Sequence, residues 1–373
     1  MSSYSCGSDE ISRESRHEWS SRARNQADSR GEWPAPSGGR WAAVRPSVSF
    51  VSQTTPILDV DLPAFENGDE ATRRAVVDGT MRSLATGFVY VRHDLSEDLL
   101  DETYGRLADF FALPRDRKDR YTVSGANGQT GYTGLLVETA ASSDVPDWKE
   151  MLNWSAPVPE GHPLRKRFPH RYGEQVLPDE DLPGTTELLM AFHEATLGLQ
   201  RRVLRILAVG LGVHEIYFDV MLNDGAALTR ALHYPSMDAA PGDEHVWAAE
   251  HGDINLITAL PRATAPGLQV KVDDSWVEAS PPDGHVIVNT GIMLDHLTNG
   301  LIPPGIHRVV ADGPGERHSV VQFCHPTPWT MLAPIPTCVT PENPLRYPTI
   351  TASDRLEQVI WEINLVESGR RLD

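Results

Sequence analysis

The chain has 373 residues, of which 40% are hydrophobic, and carries a formal net charge of −19 at pH 7. A chain of this length can bury a sizeable core, while an acidic surface repels phosphate backbones and anionic membranes, so neither nucleic acid nor a membrane is an expected partner. The three cysteines, Cys6, Cys324 and Cys338, are odd in number and lack metal-ligand spacing. The N-terminus has no apolar segment of the secretory type, and we expect a cytoplasmic protein.

The N-terminal part of the chain divides into a polar extension and an α/β region. Residues 1–48 are rich in Ser, Arg, Gly and Glu without apolar periodicity, which predicts a flexible extension. Residues 54–155 predict strand, helix, strand and helix in turn. These are a strand at 56–61, a helix at about 70–85, a strand at 87–91, and a helix that Ser96 caps and Pro114 ends.

A linker and one long helix follow at residues 156–226. Residues 157–184 form a Pro-rich connection. From Thr185 to about Leu211 apolar residues recur at helical spacing, and Gly210 and Gly212 mark the end of this helix.

From residue 227 the periodicity becomes that of short strands between Gly, Pro and Asp turns. This pattern is typical of an antiparallel jelly roll, which we assign to residues 227–335. The predicted strands are 229–235, 255–260, 268–272, 276–279, 285–289, 307–310 and 319–325. Residues 336–373 form a C-terminal segment with a helix at about 352–365. The predicted fold is mainly β with flanking helices.

Two residues within this region have the chemistry of a metal site. His251 and Asp253 stand two apart, so on an extended strand both side chains leave the same face. A second histidine from a neighbouring strand would complete a set of two histidines and one carboxylate. Such a set leaves coordination positions open and suits a non-haem ferrous oxygenase.

A later pair has the chemistry of a carboxylate-binding site. Arg317 and Ser319 repeat the two-residue spacing, so a guanidinium and a hydroxyl share one strand face. Arginine can hold a carboxylate through two parallel hydrogen bonds. The sequence therefore predicts a binding point for an organic acid beside the metal.

In their order and setting these motifs resemble the iron(II)- and 2-oxoglutarate-dependent dioxygenases related to isopenicillin N synthase, deacetoxycephalosporin synthase and the plant flavonoid and gibberellin oxidases. The resemblance covers roughly residues 54 to 365 and includes the 147–150 motif, Asp-Trp-Lys-Glu. It implies a double-stranded β-helix core and His251, Asp253 and His307 as iron ligands. His296 is the rival third ligand, but only His307 stands in a His-Arg-Val setting.

The same resemblance implies the co-substrates and the reaction. Arg317, Ser319 and Tyr234 would bind the distal carboxylate of 2-oxoglutarate, with O₂ as the second co-substrate and ascorbate as a reductant. We expect hydroxylation, with desaturation or cyclisation as variants, of a specialised metabolite or amino-acid-derived small molecule. The retained Asp253 argues against a halogenase. A monomer or weak homodimer is expected.

The substrate pocket is predicted from large or polar residues near these motifs, and these are Trp247, Met293, Phe323, His325, Trp329, Asn153 and Trp154. Two other functions fit the motifs. One is an oxidase of the isopenicillin N synthase or aminocyclopropane-carboxylate oxidase type, which does not use 2-oxoglutarate. The other is a catalytically silent relative that binds a ligand.

Overall fold

The structure is a computed structural model that describes residues 57–126, 128–140 and 143–362. The predicted N-terminal extension at residues 1–48 lies outside these ranges. Within them, no helix has both the length and the apolar character needed to cross a membrane.

Fourteen strands in the described ranges form sheets of eight, four and two strands. The strands are β1 (Asp59–Asp61), β2 (Phe88–Arg92), β3 (Gly131–Thr133), β4 (Glu150–Ser155), β5 (Leu228–Tyr234), β6 (Ala248–His251), β7 (Ile257–Leu260), β8 (Leu268–Val272), β9 (Ser275–Glu278), β10 (His285–Thr290), β11 (His307–Val309), β12 (Arg317–Cys324), β13 (Met331–Leu332) and β14 (Ile350–Thr351).

Seven of the nine α-helices in the same ranges precede β5 in the chain. They are α1 (Leu62–Asn67), α2 (Glu70–Ser83), α3 (Glu97–Phe111), α4 (Arg115–Asp119), α5 (Pro163–Arg167), α6 (Thr185–Gly210), α7 (Asp219–Leu222), α8 (Ile292–Leu297) and α9 (Ala352–Glu362).

The two larger sheets are the layers of a jelly roll. The eight-stranded sheet has the order β1-β2-β10-β7-β12-β5-β4-β3 and the four-stranded sheet the order β6-β11-β8-β9. Between them lies an apolar core to which both sheets contribute, including Phe88, Leu232 and Ile287 from the larger sheet and Val270 and Val309 from the smaller. The predicted fold class is confirmed.

The long helix α6 covers the outer face of the larger sheet. Its apolar stripe, including Leu199, Val203 and Leu207, packs against Ile257 and Val288 of the sheet. Fully buried leucines of this kind typically contribute roughly 2–5 kcal/mol each against replacement by alanine. The helix therefore holds the barrel wall in place, and the predicted helix at 185–211 is confirmed.

The N-terminal region follows the predicted order with two differences. Helix α3 begins as expected, because the Ser96 hydroxyl accepts a hydrogen bond from the Leu99 amide. The predicted first strand is shorter, since the Asp61 carboxylate caps a helix that the sequence did not suggest, accepting from the Ala64 amide at 2.8 Å. Strand β4 was also missed, because all six of its residues are buried and show no alternation.

Candidate active site

Three side chains that the sequence singles out meet where β6 and β11 pair. The two strands run antiparallel, and His307 stands directly opposite His251. The imidazole centroids lie 4.3 Å apart. The candidate ligand atoms of His251, Asp253 and His307 all lie within 4.8 Å of one another. A neighbouring strand therefore supplies the second histidine.

Asp253 reaches this cluster differently from the prediction. Strand β6 ends at His251, so Asp253 lies in the following loop and strand alternation does not place it. Instead its Oδ2 accepts hydrogen bonds from the Thr258 hydroxyl at 2.5 Å and from the Asn289 amide at 2.7 Å. These two donors hold the carboxylate, and the sequence did not suggest either of them.

Both imidazoles are oriented by backbone carbonyls. Nδ1 of His251 lies 2.7 Å from the Ala249 oxygen, and Nδ1 of His307 lies 3.0 Å from the Gly305 oxygen. A carbonyl oxygen only accepts, so each Nδ1 carries the proton and each Nε2 presents a lone pair. Gly305 is required here, because a Cβ on it would lie 2.7 Å from the Gly87 oxygen.

The electrostatics of the cluster favour metal-binding protonation states. Burial, and then the facing His307, lower the pKa of His251 to about 4. Burial opposes ionisation of Asp253, but the two imidazoles and its hydrogen bonds prevail and hold its pKa below the usual value. Neutral imidazole and ionised carboxylate are the forms that ligate a divalent cation. The donor set of two nitrogens and one oxygen fits Fe(II).

A second cluster lies on the interior face of β5 and β12. Arg317 stands opposite Tyr234, with its guanidinium carbon 5.2 Å from the ring centroid. Nη1 of Arg317 donates to the Ser319 hydroxyl at 2.8 Å and Nε donates to the Ala265 carbonyl at 3.1 Å. The residue is 1% exposed. Because these described partners are neutral, the buried cation lacks a counterion there, which favours an anionic ligand.

A buried ion network that the sequence did not reveal lies behind the strand of His251. Lys149 lies 2.7 Å from Glu138 and 2.8 Å from Asp147. Burial opposes its charge, but Glu138 and Asp147 hold the pKa of Lys149 above its ordinary value. The other Asp147 oxygen accepts from the Ala249 amide at 3.0 Å. The 147–150 motif thus anchors the strand that carries His251.

Two of the predicted substrate residues share the interior face with Arg317. Alternation along β12 puts Phe323 on that face, and cross-strand pairing puts Arg230 of β5 beside Asn153 of β4. Nε of Arg230 donates to the side-chain Oδ1 of Asn153 at 2.7 Å, and its guanidinium carbon lies 5.4 Å from the Phe323 ring centroid. Arg230 also lies 3.2 Å from Glu138. Arg230 begins the 230–235 motif that contains Tyr234, but the sequence suggested no role for Arg230 itself.

The remaining predicted contacts lie in other surroundings. Trp247 is buried against Tyr234, with ring centroids 5.6 Å apart. Met293 and His325 line one small cavity together. Trp329 is partly exposed and lies 6.1 Å from the Phe168 ring.

Trp154, predicted in the substrate pocket, and His296, the rival iron ligand, both lie away from the proposed site residues. Trp154 faces the helices, where its indole nitrogen donates to the Leu189 carbonyl at 3.0 Å, so its predicted place in the pocket is wrong. The rival ligand His296 lies beside Tyr347, with ring centroids 4.9 Å apart, and its Nε2 lies 2.7 Å from the Pro348 oxygen.

Two family models match the chain. The model described as the non-haem dioxygenase in morphine synthesis N-terminal region matches residues 56–180. The model of the 2OG-Fe(II) oxygenase superfamily matches residues 226–326, which contain both clusters.

Curated proteins and solved structures similar to this chain agree with the family models. Kihadalactone A synthase from Citrus sinensis is 31% identical over 277 residues, covering 72% of this chain and 81% of the relative. Mugineic-acid 3-dioxygenase from Hordeum vulgare is 26% identical over 301 residues, covering 79% and 83%. A 2OG-Fe(II) oxygenase family protein from Caulobacter crescentus has 33% identity and a TM-score of 0.72, covering 83% of this chain and 100% of that chain. A full-length Neurospora crassa protein in complex with alpha-KG has 26% identity and a TM-score of 0.72, covering 84% and 98%.

A jelly roll that brings two histidines and a carboxylate together defines the class of mononuclear non-haem iron oxygenases. With these matches, the chain belongs to the 2OG-Fe(II) oxygenase superfamily. It is an oxidoreductase of the Fe(II)- and 2-oxoglutarate-dependent dioxygenase type, with a small molecule as substrate.

Proposed function

We propose that His251, Asp253 and His307 hold the iron, and that Arg317, Ser319 and Tyr234 bind the distal carboxylate of 2-oxoglutarate. The observation that carries the proposal is the pairing of His251 with His307 across two strands, with the Asp253 oxygen within 4.8 Å of both. The second support is the buried Arg317, which has neutral partners in the described part of the chain.

Bound iron supplies the activation of O₂ that is coupled to oxidative decarboxylation of 2-oxoglutarate and oxidation of the substrate. The protein's own groups prepare this chemistry. The carbonyls of Ala249 and Gly305 keep both Nε2 lone pairs directed at the cluster. Thr258 and Asn289 fix the carboxylate. Arg317 orients the co-substrate through charge-assisted hydrogen bonds, and the apolar core between the sheets excludes water.

We propose that the substrate docks along the interior face beyond the co-substrate cluster, where Arg230, Asn153 and Phe323 lie together. A guanidinium, an amide and an aromatic ring suit a partly apolar small molecule with a polar group. The names of the relatives, kihadalactone A synthase and mugineic-acid 3-dioxygenase, support a specialised metabolite or amino-acid-derived substrate. Hydroxylation is the proposed outcome.

The extent of the catalytic core, the partners and the cellular compartment are also proposed. Residues 227–335 form the catalytic core, since they carry all three proposed iron ligands and the three co-substrate contacts. The acidic chain, with a net charge of −19, acts without nucleic acid or membrane, as a monomer or weak homodimer. The free thiols of buried Cys324 and Cys338 support a reducing cytoplasm.

The proposal is tested by anaerobic titration of the full chain with Fe(II) and then with 2-oxoglutarate. The readout is the weak visible metal-to-ligand charge-transfer band. Wild type should develop the band, His307→Ala should not, and Arg317→Ala should need more 2-oxoglutarate to reach the same amplitude. His285→Ala, which changes a histidine outside both clusters, is the matched control and should behave as wild type.

Two results would contradict this assignment. A full band in His307→Ala would remove that residue from the iron site. Iron binding without any band in the wild type would favour an oxidase that does not use 2-oxoglutarate, and O₂ uptake with small peptides or amino acids would then be measured, with ascorbate as reductant.

A further inference from the structure

The helix-facing side of β5 and β12 carries a third group of polar side chains that the proposed reaction does not use. His233 and His318 stand directly opposite each other. Glu316 immediately precedes β12 and lies two residues before His318. The ligand atoms of these three residues all lie within 4.8 Å of one another. Within the described ranges, this group and the proposed iron ligands are the two groups that meet this spacing.

The two imidazoles are held in place before any ligand arrives. Their rings are stacked, with centroids 4.6 Å apart and planes 9° from parallel. Phe111 packs against both rings at 5.4 Å and 5.8 Å. An ion lies in the plane of each imidazole that ligates it, so one of the two parallel rings has to rotate out of the stack when both bind the same ion.

A carboxylate fixes the tautomer of His233. Glu150 accepts from Nδ1 of His233 at 2.7 Å, and it is held in turn by the Lys118 ammonium at 2.7 Å and by the Tyr132 hydroxyl. A histidine that donates one ring nitrogen to a carboxylate is the usual arrangement for a metal ligand, because the other nitrogen can then bind an ion. That nitrogen, Nε2, lies 3.1 Å from the Glu316 carboxylate, which only accepts, so a bound cation would replace the proton between them.

One of the three ligand separations already suits a tetrahedral ion. Two ligand atoms about 2.0 Å from a tetrahedral Zn²⁺ lie about 3.3 Å apart, close to the separation of His233 Nε2 and Glu316. The Glu316 side chain is 62% exposed and that of His233 is 11% exposed, so the cluster opens to solvent on one side. Water can complete the coordination there.

We propose that His233, His318 and Glu316 form a second metal site, which takes a borderline divalent cation of the Zn²⁺ class with two nitrogen ligands and one oxygen ligand. The site is separate from the proposed iron ligands and joins β5 to β12. His318 lies between Arg317 and Ser319, and Tyr234 follows His233. A bound ion would therefore clamp the two strands that carry the co-substrate cluster on their other face.

The test counts Zn²⁺ bound to the full chain, stripped of metal with a chelator, by equilibrium dialysis and elemental analysis. His307→Ala removes a ligand of the proposed iron site and His318→Gln removes one of the second site. Each single variant should bind one ion fewer than wild type, and the double variant two fewer. His285→Gln, which changes another half-buried histidine, should match wild type.

A milder variant covers the case in which His318→Gln does not fold. Glu316→Gln alters an exposed side chain and should weaken the second Zn²⁺ at least about tenfold, because a carboxylate ligand is lost. The proposal is overturned if His318→Gln folds and still binds as many ions as wild type. Unchanged affinity in Glu316→Gln, or a single ion in wild type that His307→Ala abolishes, would overturn it as well.

Discussion

Two regions of this molecule present the same donor set, two imidazoles from facing strands and one carboxylate. In the proposed iron site His251 faces His307, and in the proposed second metal site His233 faces His318. The carboxylates differ. Asp253 is buried and receives hydrogen bonds from Thr258 and Asn289, whereas the Glu316 side chain is 62% exposed.

This difference shows that the surroundings of a donor set decide its use. A buried carboxylate costs free energy unless neighbours stabilise its charge, so a fold that keeps one beside two imidazoles binds a cation there strongly. An exposed carboxylate can rotate into water and holds an ion less firmly. The proposed iron site is suited to a resident metal, and the proposed second metal site is suited to an exchangeable one.

The largest expected effect comes from removing the buried carboxylate. Asp253→Ala should lower 2-oxoglutarate-dependent succinate formation at least about 1,000-fold, because losing the iron removes several kcal/mol of catalysis at about 1.4 kcal/mol per tenfold. Succinate is measured with saturating Fe(II) and ascorbate. Asp312→Ala, at an exposed aspartate, should retain the wild-type rate. Activity within tenfold of wild type in Asp253→Ala would exclude this aspartate from the iron site.

At the proposed second metal site, the largest loss of stability should follow replacement of Glu150, the carboxylate that holds His233. Glu150→Gln leaves the Lys118 ammonium buried without its counterion, and we expect a loss of about 3 kcal/mol in the free energy of unfolding. This is the lower end of the usual range, because Lys118 also donates to the Phe111 carbonyl. Urea unfolding measures the change. Glu316→Gln, at an exposed carboxylate, should change stability by less than about 0.5 kcal/mol.

Equal losses in Glu150→Gln and Glu316→Gln would contradict this contrast. They would mean that the exposed carboxylate already stabilises the pair of histidines in the absence of an ion.

The fold and the first cluster could be predicted from the sequence because local signals agreed with the tertiary structure. Ser96 caps α3, the apolar stripe of α6 has helical spacing, and the short strand runs after residue 227 are separated by Gly, Pro and Asp turns. Strand β4 was missed because it is buried on both faces, so that its six residues give no period.

What could not be predicted depends on pairing between distant strands. Asn289 is 36 residues from Asp253, and Arg230 is 77 from Asn153. Nothing local marks either pair. The proposed second metal site was not predicted for the same reason. Its histidines are 85 residues apart in sequence (318 − 233), and only the β5–β12 register brings them together. The Trp154 error followed from missing β4, because consecutive strand residues face opposite ways and Asn153 and Trp154 cannot both point inward.

Arg317 and His318 lie on opposite faces of β12, so replacing Arg317 should affect 2-oxoglutarate binding without affecting the proposed second metal site. Arg317→Ala should raise the KM for 2-oxoglutarate by roughly 10- to 150-fold, corresponding to about 1.5–3 kcal/mol for hydrogen bonds to a charged group. Initial rates of succinate formation give this constant. The matched control is Arg92→Ala, whose surface partner is Asp61. A KM unchanged within twofold would show that another group binds the co-substrate.

The smallest expected effect tests the reason given for the difference between the clusters. Asn289→Ala removes one of the two donors to Asp253 and should weaken Fe(II) binding roughly 10- to 100-fold, as is usual for groups that orient a metal ligand. Thr258→Val should act in the same direction. Anaerobic Fe(II) titration gives the affinities, and Asn67→Ala, at an exposed asparagine, is the control. If both site variants bound iron as wild type does, the loop backbone alone would hold Asp253. The buried donors would then not explain why this cluster, rather than the solvent-open one, is suited to a resident metal.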